Sequence, residues 1–153
     1  MTAAVTIRLA TAQDVPLLAD AWYAMLDEDG LLAPDVDPEW RSYIMADFRG
    51  AMSVGSQLWL VGETEGRIVA TGAAFFRGGR STLALTGLTA TLAGIYTFPS
   101  HRRRGYARAL AQRLIELCRT RGCRSIRLRA SDQGRPLYEQ LGFVDSDEMV
   151  LAL

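Results

Sequence analysis

The sequence predicts an α+β or α/β fold with a mixed sheet. Three observations carry that prediction. Segments with two-residue apolar alternation are interleaved with segments whose apolar residues recur every three to four positions. Strands both precede and follow the helices, which argues against separate all-α and all-β halves. The 153 residues suffice for one compact domain, expected to span 1–153, and no repeat or low-complexity stretch suggests another plan.

The elements follow in order. Val5-Thr-Ile-Arg-Leu9 alternates like a half-buried strand. Thr11 or Asp14 can cap a helix in which Val15, Leu18, Ala21, Trp22, Met25 and Leu26 share a face. Gly30 to Pro38 holds Pro34 and Pro38 and reads as a loop. A second helix over Pro38 to Met52 sets Trp40, Ile44 and Phe48 on one side. Gln57–Val61 and Arg67–Phe76 read as a hairpin turned at Glu63-Thr-Glu-Gly66.

After a loop at Gly78–Ser81, the apolar run Leu83–Phe98 is too rich in threonine and glycine for a helix. It reads as a long strand, bent near Ala93-Gly94. Arg103–Arg121 is the strongest helix, with Ala107, Leu110, Ala111, Leu114, Leu117 and Cys118 on one face and Gly122 as its stop. Ser125–Ala130 is a strand. Ser131 or Asp132 then caps a short helix with Pro136 in its first turn, ending at Leu141-Gly142, and Glu148–Leu153 is a last strand. That strand could pair with its counterpart in a homodimer.

Charge is unevenly spread. Net charge is zero, yet Arg102–Arg129 holds ten arginines against Glu116 alone, and the remainder is correspondingly acidic. Asp27, Glu28, Asp29, Asp35, Asp37 and Glu39 crowd thirteen residues without a basic one. Such polarity suits an anion at one region and a cation at the other, although surface clustering alone would look the same. No apolar run approaches the ~20 residues that cross a bilayer, and no basic-then-apolar leader opens the chain. A cytoplasmic, non-membrane protein is expected. Cys118 and Cys123 are too few for a disulfide framework or a metal cluster, and they read as inert thiols on a helix face and at a strand start.

The segment Ile95-Tyr-Thr-Phe-Pro-Ser-His-Arg-Arg-Arg-Gly-Tyr-Ala-Arg-Ala-Leu110 runs strand, basic turn, helix. A helix start offers unpaired N–H groups and the positive end of its dipole, a natural phosphate site. Gly105 and Ala107 carry little bulk where an anion would approach, and Arg102, Arg103, Arg104 and Arg108 add charge. Neither G-x-x-x-x-G-K-[ST] nor G-x-G-x-x-G is present. A solvated basic helix start would read the same way.

Arg102-x-x-Gly105-x-Ala107 resembles the [QR]-x-x-G-x-[GA] motif of the GNAT superfamily of N-acetyltransferases. Ala130-Ser-Asp-Gln-Gly-Arg-Pro-Leu-Tyr-Glu-Gln-Leu-Gly-Phe143 is similar to that family's closing motif, a tyrosine ahead of Leu-Gly-Phe. The likeness is sharp from Ile95 to Phe143 and looser elsewhere, and it points to the compact bacterial members of unassigned substrate. It implies an α+β fold, a three-layer α/β/α arrangement around a mixed, mostly antiparallel central sheet of six to seven strands with about four helices. It also implies acetyl-CoA as cosubstrate, and direct transfer of acetyl to a primary amine in a ternary complex. By the same resemblance, Ile95, Tyr96 and Thr97 would meet the pantetheine arm and acyl carbonyl through their backbone. Arg102, Arg103, Arg104, Gly105, Tyr106, Ala107 and Arg108 would surround the pyrophosphate. Asp132 stands where many members place asparagine near the cofactor, and Tyr138 would protonate the departing thiolate.

The general base is not assigned. The fourth strand has no acid or histidine, which leaves Asp27, Glu28, Asp35 or a held water. His101 reads as a surface residue or phosphate neighbour. Trp22, Trp40 and Trp59 read as core, with Trp22, Tyr23, Phe75 or Phe76 able to line an acceptor pocket. The acidic stretch favours a cationic acceptor, a small molecule or a peptide amine. Two other readings stay open: a non-catalytic CoA-binding sensor or degenerate family member, and a nucleic-acid-binding domain. The latter lacks a recognised motif and has only Tyr96, Phe98 and Tyr106 near its arginines.

Overall fold

The computed structural model describes residues 4–78 and 87–153. Five strands form one sheet in chain order: β1 (Thr6–Leu9), β2 (Gln57–Thr64), β3 (Arg67–Arg77), β4 (Thr89–Thr97) and β5 (Ser125–Leu128). Neighbours are antiparallel from β1 to β4, whereas β5 runs parallel to β4. The parallel pair requires a crossover, and α3 (Tyr106–Thr120) supplies it. Helices α1 (Val15–Glu28) and α2 (Trp40–Ser53) precede β2, and α4 (Arg135–Gln140) follows β5.

The helices cover both faces of the sheet. Leu110, Leu114 and Cys118 of α3 pack with Leu60, Val69 and Leu92 on one side, while Val15, Leu18 and Phe48 pack with Trp59, Val61 and Ala73 on the other. Trp59 and Leu60 are adjacent and face opposite layers, as strand alternation demands. Because both faces are covered, β2 is a continuous apolar run through Leu58-Trp-Leu-Val61 instead of alternating with polar residues. The rings of Trp22, Phe48, Trp59 and Phe75 form one cluster, with centroids 4.7 to 6.1 Å apart. Trp22 and Phe75 therefore serve packing, and Tyr23 stacks on Trp40 at 4.5 Å.

Three expectations change. The sheet has five strands among the described residues, where six to seven were expected. The difference lies at Glu148–Leu153, which joins no ladder and has no regular structure, because a strand forms only where a partner meets its backbone groups. The major helix begins at Tyr106 and not at Arg103: Arg103 and Gly105 hold left-handed φ of 64° and 81°, which α-helical hydrogen bonding excludes. The start expected for the fourth strand at Leu83 falls outside the described residues, and β4 begins at Thr89.

One irregularity shapes the sheet. Thr71 pairs with Tyr96 and Ala73 with Ala93, so Gly72 of β3 faces both Gly94 and Ile95 of β4. This is a β-bulge. Gly94 adopts φ 61°, and a Cβ there would lie 2.8 and 2.9 Å from the Trp59 ring and 3.4 Å from Trp22. The buried Thr71 hydroxyl donates to the Gly94 carbonyl at 2.8 Å, satisfying an oxygen the ladder leaves out. Gly72 leaves the space that Ile95 and Leu114 occupy, at 3.4 and 3.1 Å from where its Cβ would be.

Gly94→Ala combines a left-handed alanine with a clash against two tryptophans. The expected cost is about 2–4 kcal/mol, measured by urea unfolding. A second prediction concerns Arg8, which bridges Asp14 (2.7 and 3.1 Å) and Glu63 (2.8 Å) and so ties the entry to α1 onto β1 and β2. The Arg8 hydrogen bonds, helped by the Thr11 N–H, hold the Asp14 carboxyl below its ordinary range. A depressed carboxyl stabilises the fold above its unfolded value and loses that contribution as pH falls through the folded one. Asp14→Asn should therefore cost about 1–3 kcal/mol at pH 7. It should also flatten the loss of thermal stability below about pH 4.

Candidate active site

β4 outruns its parallel partner. Pairing with β5 covers Thr89 to Leu92 only, so from Ala93 to Thr97 that edge of β4 has no ladder among the described residues. The divergence starts at the bulge, since an extra residue bends the strand that carries it. Beyond the bulge the Phe98 N–H donates to Val69 O at 3.0 Å. Alternation then turns the N–H and C=O groups of Tyr96 toward β3 and those of Ile95 and Thr97 toward the open side. The result is a wedge-shaped gap with a strand edge on one wall.

At the end of β4 the chain makes a short 3₁₀ turn at Pro99–His101, then Arg102 to Gly105, then α3. The first α-type bond of α3 runs from Ala109 N–H to Gly105 O at 3.1 Å. The N–H groups of Arg103, Arg104 and Gly105 make no backbone hydrogen bond among the described residues. Donors from a turn with left-handed backbone at Arg103 and Gly105 and from a helix start thus follow one another at the end of β4. A Cβ on Gly105 would meet nothing within 4 Å. Glycine is required there by its φ of 81° and by the open approach to the donors, not by a neighbouring atom.

The arginines divide into different tasks. Arg102 turns away from the helix start: its Nη2 donates to both Glu28 oxygens at 2.7 and 2.8 Å, and its Nε donates to Thr97 O at 2.9 Å. The Tyr96 hydroxyl donates to the same carboxylate at 3.0 Å, and the Arg102 guanidinium lies 5.4 Å from the Tyr96 ring centre. Arg102 is thus a pin joining the loop, β4 and the end of α1. Arg104 reaches Ser100 O at 3.3 Å. Arg108 donates to Gln140 of α4, and Arg103 has no side-chain hydrogen bond or ion pair among the described residues. The Tyr106 ring is buried in the core and Ala107 is half-buried on the same first turn, so both address the spot by backbone only. His101 sits outside the wedge, its Nδ1 2.9 Å from Ser100 Oγ.

Tyr138 is on α4, which follows β5. Pro136 stands in the first turn of α4, and the preceding turn is closed by Gly134 N–H donating to Ser131 Oγ at 3.1 Å. Asp132 is exposed and caps nothing. The Tyr138 ring packs edge-on against Phe143 at 5.9 Å and covers Gly134, whose Cβ would come within 3.0 Å of it. Burial raises the Tyr138 phenol above its ordinary value, and the Asp29 carboxylate at the end of α1 adds to the rise. A phenol so placed stays protonated at neutral pH and can donate a proton.

Several of these relations had no signal in the sequence. Glu28 lies 68 and 74 positions from Tyr96 and Arg102, and only the fold joins them. The effect of the Asp29 charge on Tyr138 is of the same kind. Asp27 and Asp35 are exposed. Cys118 is buried beside Cys123, and its thiol is pushed up to about 12 by burial first, so it is no nucleophile. No cluster of three or more metal-ligating side chains occurs among the described residues, and no helix among them is long and apolar enough to cross a membrane.

Known proteins share this arrangement. A predicted acetyltransferase from Clostridium acetobutylicum, solved with acetyl-CoA, superposes with a TM-score of 0.86 at 27% identity, over 98% of this chain and 96% of that one. A GCN5-related N-acetyltransferase from Ralstonia eutropha JMP134 has the same fold, with a TM-score of 0.79 at 24% identity over 98% and 99% of the two chains. The glucosamine 6-phosphate N-acetyltransferase of Trypanosoma brucei brucei is 35% identical over 69 residues, 45% of this chain and 42% of that protein, so the match spans less than half of that curated relative. The model of the acetyltransferase (GNAT) family matches residues 20–143, which takes in the bulged strand, the left-handed turn and α4 together. On that match the chain belongs to the GNAT family of acetyltransferases.

Proposed function

We propose that the chain is a single-domain, acetyl-CoA-dependent N-acetyltransferase that moves acetyl directly to a primary amine within a ternary complex. The observation that carries this is the edge of β4 from Ala93 to Thr97, unpaired among the described residues, ending at N–H groups of Arg103, Arg104 and Gly105 that have no backbone partner among them. A long ligand with an amide-bearing arm and a pyrophosphate fits that pair of features. The arm would bond the Ile95 backbone and the Thr97 N–H, since the Thr97 carbonyl already accepts from Arg102. Tyr96 would contribute its side chain. The pyrophosphate would rest on the backbone from Arg103 to Arg108, with Arg103, Arg104 and Arg108 supplying charge, Arg102 holding the loop in shape and Asp132 at its margin.

Bound acetyl-CoA supplies the thioester carbonyl that the amine attacks. The chain's residues then do three things. Backbone donors on the open side of β4 orient the carbonyl and stabilise charge building on its oxygen. Tyr138 gives its proton to the sulfur as the C–S bond breaks. The Asp29 carboxylate at the end of α1 draws a cationic amine toward the wedge, and the proton it must lose leaves through water toward it, while Glu28 stays paired with Arg102. The curated relative is named for glucosamine 6-phosphate. For this chain we propose an amine acceptor, small or peptidic, with cationic character, in a cytoplasmic setting.

The test is release of free thiol from acetyl-CoA in the presence of a panel holding a polyamine, an amino acid amide, a peptide N-terminus and an amino sugar phosphate. Coenzyme A binding without thiol release from any amine would count against the reading. Tyr138→Phe should lower kcat by roughly 10²–10⁴-fold while leaving the KM for acetyl-CoA within a few-fold. In the unaltered protein, kcat should fall as pH rises through the elevated Tyr138 value, above about pH 10, and the variant should lack that limb. Gly105→Glu, which forces a side chain into φ 81° and sets a carboxylate among the phosphate donors, should weaken coenzyme A binding by at least about tenfold, or 1.4 kcal/mol. Unchanged affinity by calorimetry would remove the assigned phosphate site.

A further inference from the structure

Helix α1 ends on the unfavourable charge. Asp27, Glu28 and Asp29 close it, and its last turn holds no basic residue. The helix dipole already makes that end negative, so acids there weaken the helix. At Glu28 the opposing charge comes from elsewhere in the chain. Arg102 Nη2 donates to both carboxylate oxygens at 2.7 and 2.8 Å, and the Tyr96 hydroxyl donates to Oε1 at 3.0 Å. The Arg102 and Glu28 side chains are 38% and 43% exposed, and an ion pair so open to water contributes little to global stability. Its effect lies in geometry.

The two partners belong to different parts of the proposed cofactor site. Tyr96 lies on β4 beyond the bulge, between Ile95 and Thr97, whose backbone faces the open edge. Arg102 begins the turn that carries the N–H groups of Arg103, Arg104 and Gly105. Arg102 Nε also donates to Thr97 O at 2.9 Å, so one guanidinium spans β4 and the turn. Burial, and then the Glu28 hydrogen bond, raise the Tyr96 phenol above its ordinary value, which keeps it a donor to the carboxylate. Glu28 is the acceptor common to both. Without it the guanidinium is free to leave Thr97 O and turn toward an incoming phosphate.

Resting on the proposed acetyl-CoA site, we infer that Glu28 is its positioning residue: the carboxylate holds Tyr96 and the Arg102 turn in one arrangement, so that pyrophosphate is met by backbone N–H groups and not by the Arg102 side chain. The sign of the effect separates positioning from simple electrostatics. A carboxylate near an anion site repels the anion, and by charge alone its removal should tighten binding. Positioning requires the opposite. Donors fixed before the ligand arrives need no ordering, whereas a loosened turn must be ordered as the ligand binds, which lowers affinity.

Glu28→Gln keeps the shape of the side chain and removes its charge. By calorimetry it should bind coenzyme A roughly three- to tenfold more weakly than the unaltered protein. Arg102→Gln should weaken binding to a similar degree. The Glu28→Gln/Arg102→Gln pair, whose net charge equals that of the unaltered chain, should bind no more weakly than either single variant. Melting temperatures of all three should stay within a few degrees of the unaltered protein's. By nitrogen-15 NMR, the Arg102 Nε–H should exchange slowly with water in the unaltered protein and rapidly in Glu28→Gln. Tighter or unchanged coenzyme A binding by Glu28→Gln, a double variant that binds like the unaltered protein, or losses that multiply in the pair would each overturn the inference. So would an Arg102 resonance indifferent to residue 28, or a loss of affinity matched by a large fall in melting temperature. All of these leave the proposed function standing, whereas no coenzyme A binding by the unaltered chain would remove that function and the inference together.

Discussion

The site depends on the bulge at Gly94. A regular fourth strand would lie flat between its neighbours and pair along its length with β5, leaving no edge for a ligand. The extra residue opposite Gly72 bends β4, and pairing with β5 ends just before it, at Leu92. Three features hold this irregular backbone: a glycine able to take φ 61°, the Thr71 hydroxyl on its carbonyl, and the Trp59 and Trp22 rings that occupy the space a side chain would need. Strain at a functional position is tolerated where the surroundings over-determine it. Here the surroundings are the aromatic cluster between the sheet and α1 and α2.

The second constraint is electrostatic. A row of arginines at a helix start would by itself be a diffuse positive patch. The fold assigns Arg102 to Glu28, Arg104 to a carbonyl and Arg108 to α4, so the side chains shape the loop while the N–H groups of Arg103, Arg104 and Gly105 have no backbone partner among the described residues. Donors fixed in this way need no rearrangement when an anion arrives, the general advantage of preorganised dipoles over mobile charges. The same pin brings the acidic end of α1 next to Tyr96, and Asp29 raises the phenol on α4. Basic and acidic stretches separated in sequence thus meet at the Arg102–Glu28 ion pair.

The two ends of the sheet are finished differently. The β1 side is tied down by Arg8 between Asp14 and Glu63. The β5 side is open over an apolar groove, and the segment able to cover it stands exposed. An unprotected edge is a liability that proteins manage by charge, by covering or by pairing. The arginines along β5 supply the first device.

Much of this was written locally. Helical periodicity in Val15–Leu26 and Leu110–Cys118, the Glu63-Thr-Glu-Gly66 turn and the Arg102-x-x-Gly105-x-Ala107 spacing are short-range patterns, and each determined its element or loop without help from the rest of the chain. Even the bend near Ala93-Gly94 was legible, because glycine in a strand marks a break in pairing. Position along the chain says nothing, however, about which distant groups meet. The bulge register, the Glu28–Arg102–Tyr96 cluster and the approach of Asp29 to Tyr138 are long-range and were decided by packing. So was the start of α3: the run from Arg103 has helical composition, but the turn leaving β4 demands left-handed backbone first. Glu148–Leu153 makes the same point in reverse. Its pattern specifies a strand, but a strand exists only where another backbone completes its hydrogen bonds, and that condition belongs to tertiary or quaternary structure.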